Sequence, residues 1–148
     1  MAYSAGNRLA TATSATPLTD ADLFSFTGTI GIISITGRVT DAHPAAGNNC
    51  KLTITSDALT AYDICANKDL TGLAVGTLLS ITGTAANAMV ATTAVGALAP
   101  GQANMIVATC TTSGKISVVF DDTGNQAAAI EWALYWIPLD PSGNVTAT

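Results

Sequence analysis

Between Asp69 and Lys115 the chain carries no charged side chain, and any fold must find a place for that tract. A membrane span is the first reading to test, and the tract fails it. Gly, Thr and Asn interrupt it every few residues and Pro100-Gly101 breaks it, so no run of roughly 20 apolar residues forms. The tract is therefore expected in a core or against another subunit. The rest of the chain is also poor in charge. Charged residues are 10% of the 148, against roughly 25% in an average soluble protein. With 49% hydrophobic residues, the chain belongs with folded proteins, not disordered ones. Thr, Ser, Asn and Gly must keep its exterior wet. A weakly charged exterior leaves few ions to desolvate on association, which favours life in an assembly.

Strand signals follow one another from Leu23 onward. In FSFTGTIGIISITGRVT, β-branched and aromatic residues alternate with Ser, Thr and Gly. Across Lys51 to Thr55, Leu52 and Ile54 share one face, and Leu78 to Thr82 is punctuated by Gly83. The stretch NMIVATCTTSGKISVVFDD predicts a hairpin turning at Thr112-Ser113-Gly114-Lys115, with Gly114 supplying a positive φ and Ile116, Val118 and Phe120 on one face. From Ala127 to Leu139, Ile130, Trp132, Leu134 and Trp136 face one way, and Glu131, Ala133, Tyr135 and Ile137 the other. Pro138 and Pro141 then stop the ladder. Ser56 to Tyr62 leaves room for one helical turn with Ser56 as its cap. Residues 1–22, rich in Ala, Thr and Ser and without period, read as an extended N-terminal arm, free or laid across a neighbour. Residues 141–148 read as a C-terminal tail. The expected fold over 23–140 is all-β: an antiparallel β-sandwich, jelly-roll-like, of about eight short strands without helical spacers.

Charge and motifs exclude more than they assign. The net charge is -5, and Arg8, Arg38, Lys51, Lys68 and Lys115 are scattered, so no basic stripe exists for nucleic acid or an anionic membrane. Cys50, Cys65 and Cys110 have neither disulfide-framework nor zinc spacing. They read as free buried thiols of a reducing compartment, with a Cys50–Cys65 bridge as the alternative. The opening 18 residues lack the apolar core of a secretory signal. Val118 to Gly124 resembles the aspartic-protease signature, in which two Asp-Thr-Gly loops share a proton. Yet Asn125 stands where that family has Ala or Ser, and Asp, Asn and Gly equally make a turn. His43 lies in a loop by composition; paired with Cys65 or Cys50 it would give thiolate chemistry, and a solvated loop histidine is the simpler reading. Asp121, Asp122 and Asn125 could form a structural calcium site. No catalytic, metal or cofactor residue is assigned, and the expectation is a protein that is not an enzyme. Trp132 and Trp136 are expected in the core, leaving Tyr135 outside as the contact candidate.

The stretches TGTIGIISITGRVT, LAVGTLLSITGTAANAMV and IEWALYWIPL resemble the decoration, or cement, proteins on the heads of tailed bacteriophages, some of which have a jelly-roll domain. The resemblance spans about residues 23–140. It implies a virion protein on the capsid surface, assembled in the host cytoplasm, that bridges major capsid proteins as a dimer or trimer and needs no cofactor. Tyr3, Arg8, Leu9 and Leu18 of the arm, with Tyr135, are the candidate interface residues. A tail or head-fibre module binding a host glycan through Trp132 or Trp136 is the alternative.

Overall fold

The computed structural model describes residues 8–14, 19–42, 49–93, 105–121 and 128–148. Twelve strands form two sheets: β1 (Arg8–Ser14), β2 (Ala21–Thr27), β3 (Thr29–Asp41), β4 (Asn49–Ser56), β5 (Tyr62–Asp63), β6 (Lys68–Asp69), β7 (Leu78–Ser80), β8 (Val90–Thr92), β9 (Ile106–Thr109), β10 (Gly114–Phe120), β11 (Ala129–Pro138) and β12 (Asn144–Ala147). Sheet A runs β1-β11-β3-β7-β8, with β9 also on β3; sheet B runs β12-β2-β10-β4-β5, with β6 also on β4. All strand pairs are antiparallel. The architecture is the expected all-β sandwich, and among the described residues no helix occurs.

Alternation decides which side chains meet between the sheets, because successive residues of a strand point to opposite faces. Ile130, Trp132, Leu134 and Trp136 of β11 are buried, as are Ile116, Val118 and Phe120 of β10 and Leu52 and Ile54 of β4. Each such side chain stabilises the fold by about 1.5–3 kcal/mol relative to exposure. Trp132 needs room, and Gly37 opposite it on β3 supplies it: a Cβ there would lie 2.8 Å from the indole Cζ3. The indole Nε1–H donates to Ser14 Oγ at 2.7 Å.

Four expectations are corrected. Residues Arg8–Ser14, assigned to an arm, are a full strand of the sandwich paired residue by residue with β11. Asn144–Ala147, assigned to a tail, return as β12 beside β2. The hairpin at Thr112–Lys115 does not form. β9 joins sheet A and β10 joins sheet B, so the intervening residues cross between sheets. Gly114 is absent from the glycines with positive φ; its role is space, since Phe26 packs where its Cβ would be. The crossing is tied down by Asp57, whose carboxylate accepts the N–H groups of Thr111 at 2.8 Å and Thr112 at 2.6 Å. Ser56 does cap, accepting from the N–H of Ala58 and Leu59, but a bend follows it, not a helical turn.

Candidate interaction surface

The two outer faces of the sandwich differ in chemistry. On sheet B the register lines up Ser25, Lys115 and Thr55 in one row and Asp22, Ser117 and Thr53 in another. Lys115 pairs with Asp22 and Lys51 with Asp63. Hydrogen bonds from Lys115 and then from Ser117 hold the Asp22 carboxyl below its ordinary pKa. Exposed pairs like these add little stability. They do make a wetted face.

Sheet A is divided along its length. One end carries the ion pair of Arg38 with Glu131, neighbours across β3 and β11. Toward the other end Arg8 is the one charged side chain on the described strands of the sheet. Leu9, 56% exposed, stands opposite Tyr135, 43% exposed, across β1 and β11. Two residues further along β11, Ile137 is opposite Gly31, and Gly31 is opposite Val107 of β9. Met105 lies over Gly31: a Cβ there would be 2.5 Å from its Sδ and 3.1 Å from Ile137 Cγ1. The bare glycine lets the thioether settle on the sheet. Met105 is 45% and Val107 57% exposed. Beyond β9 a groove of about 480 Å³ separates this strand from β5, with exposed Leu59 and Tyr62 on its far wall. Uncharged and mostly apolar side chains thus line this end of sheet A in a band from β1 to β9.

Two of the residues singled out in the sequence, Leu9 and Tyr135, are thus cross-strand partners on this band. Arg8 is next to them but engaged elsewhere, its guanidinium 5.3 Å from the centroid of the Trp136 ring, a cation–π distance. Tyr3 and Leu18 lie outside the described residues, as do His43 and Asp122 to Asn125. Sequence reasoning missed Met105, Val107, Leu59 and Tyr62. For Met105 and Val107 the signal was the charge-free tract, whose Met105–Val107 run the hairpin reading assigned elsewhere; Leu59 and Tyr62 lie outside that tract, in the stretch read as a helical turn.

The remaining candidates have structural employment. Asp121 Oδ2 accepts from Asn67 Nδ2 at 2.9 Å and from Asn49 Nδ2 at 3.3 Å. Among the described residues no three His, Cys, Asp or Glu gather as metal ligands. All three cysteines are free and buried. Burial pushes the Cys50 and Cys65 thiols up, away from the thiolate that nucleophilic chemistry needs. Cys110 Sγ donates to the Phe26 carbonyl at 3.4 Å. Trp132 and Trp136 are 0% and 2% exposed, so neither indole offers a platform to a sugar. No helix among the described residues is long and apolar enough to cross a membrane.

No protein-family model matches the chain, and no curated protein matches it. Among solved structures it is similar to chains of infectious bursal disease virus. For the Gx strain the TM-score is 0.33 at 12% identity, and for the Gt strain 0.30 at 11%, each covering 97% of this chain and 38% of the other. The chain therefore spans well under half the length of those it is similar to, and a likeness of this size carries neither family nor function.

Proposed function

We propose that this chain is a structural virion protein that binds the outside of a bacteriophage capsid and cements neighbouring major capsid proteins, without catalysis of its own. The observation that supports it is the contrast between the faces: sheet B wetted and ion-paired, sheet A ending in the band of Leu9, Tyr135, Ile137, Met105 and Val107. A band with no charge asks for an apolar partner, and burying it yields about 25 cal/mol per Å². The cations point the same way. Three of the five cations, Arg38, Lys51 and Lys115, are held in ion pairs with carboxylates, which reduces the positive charge open to phosphates. The resemblance of the strand segments to head decoration proteins supplies the kind of partner.

The test is co-sedimentation with purified heads lacking this protein. The wild-type chain should pellet with heads and raise their resistance to heat. Tyr135→Asp and Val107→Asp should each weaken binding by about tenfold or more, since a buried unpaired carboxylate replaces apolar contact. Thr55→Asp, on sheet B, should not. A wild-type chain that stays in the supernatant, or band variants that bind as it does, would refute the proposal.

A further inference from the structure

Sheet edges are where unpaired backbone N–H and C=O groups invite another strand, and natural sheets blunt them by shortness, Pro, Lys or bulges. The edges here are unequal. β12 and β9 are four residues long, β8 three, β5 and β6 two. β1 is different. Its seven residues, RLATATS, contain no Pro, Gly, Lys or acid, and its register with β11 runs from Arg8 to Ser14 without a shift. No described strand is hydrogen-bonded along its other side, although β2 and β12 of the facing sheet approach it closely.

We infer that β1 is the docking edge for β1 of a second copy, in antiparallel register centred on Thr11. That register sets Arg8 opposite the partner copy's residue 14, Leu9 opposite 13, Ala10 opposite 12 and Thr11 opposite 11. The charges select it. The only ionic side chain of the strand is Arg8. A parallel pairing would put the two guanidinium groups side by side, whereas the antiparallel one sends them to opposite ends, about 20 Å apart at 3.4 Å per residue. Arg8 is also held over its own Trp136, clear of the edge. Thr11 meeting Thr11 is a favourable cross-strand pair, and Ala10 and Ala12 on the inner face are small enough not to obstruct. All seven residues of each strand are used, giving about six to eight backbone hydrogen bonds. The two sheets A become one continuous sheet across a twofold axis, an isologous dimer. Its outer face keeps both apolar bands on one side, each free for its own partner. The inference stands whether or not that partner is a capsid.

Sedimentation of the full chain reads the result directly. Wild type should run at twice 14.8 kDa. Thr11→Lys should run at the single mass with an unchanged circular dichroism spectrum, because two ammonium groups would face each other at the axis. Thr11→Cys should form a covalent dimer under mild oxidant or a short thiol cross-linker, while Thr55→Cys on sheet B should not; the native thiols are buried. A monomeric or trimeric wild type, a dimeric Thr11→Lys, or equal cross-linking at both cysteine sites would each overturn the inference. Head binding measured on the same proteins separates the two readings: loss of the dimer prediction with head binding intact sinks only the edge pairing.

Discussion

Two buried serines show how much a single hydroxyl depends on its partner. Ser14 Oγ accepts the indole N–H of Trp132, whereas Ser80 Oγ is buried with no hydrogen-bond partner among the described residues. Leaving a buried donor unmet costs about 1–3 kcal/mol. Ser14→Ala strands the indole N–H and should lower the melting temperature by several degrees, at about 2–4 °C per kcal/mol. Ser80→Ala removes an orphan and should leave the melting temperature unchanged or raise it. Thermal melts by circular dichroism check both, and equal losses would refute the assignment of Ser80 as unsatisfied. Gly114 is a third case at this scale. A methyl group there collides with the Phe26 ring, so Gly114→Ala should cost about 1–3 kcal/mol as overpacking. The sequence alone suggested a glycine chosen for its φ. Which neighbour fills the missing side chain's space is set by β2 pairing with β10, a contact between residues far apart in the chain.

At the level of elements, alternation made β2, β3, β4, β10 and β11 legible, because Val, Ile, Leu and aromatic residues there swing between strongly apolar and polar. β1 was not, although it alternates too. Its inward residues are Ala10, Ala12 and Ser14, opposite Leu134, Trp132 and Ile130; large partners on β11 leave room only for small ones, and small ones give little hydrophobic signal. β12 is four residues beyond Pro141, too short to announce itself. What secures its return is Asp140, which accepts the Thr29 N–H at 2.7 Å and the Ser142 hydroxyl at 2.7 Å. Those bonds, Ser142's first, bring its pKa from an ordinary 3.8 down to about 2. A carboxyl depressed in the folded state stabilises above its unfolded pKa, and the contribution disappears as pH falls through the folded value. Stability should therefore decline between about pH 4 and pH 2, and Asp140→Asn should flatten part of that decline while lowering stability at neutral pH. Melts across that range test it; an unchanged slope in the variant would refute the role.

For the whole molecule, the division between a wetted sheet B and a neutral band on sheet A makes the type of force at the contact testable. Exposed ion pairs are screened over a Debye length of about 10 Å at 0.1 M salt and about 3 Å at 1 M, so an interface steered by charge loosens as salt rises. Apolar contact does the reverse, since salts excluded from protein surfaces favour burial. In the central rows of sheet B the ions are paired within the chain, Lys115 with Asp22 and Lys51 with Asp63, and the band around Met105 and Val107 contains none. Binding of this protein to its partner surface should therefore persist or tighten from about 0.1 M to 1 M sodium sulfate. The Tyr135→Asp variant should stay weak throughout, because its new carboxylate must be desolvated at every salt concentration. Association that falls steeply with salt in the wild-type chain would place the contact on the charged rows of sheet B, and the neutral band would then be an edge of the fold with no partner of its own.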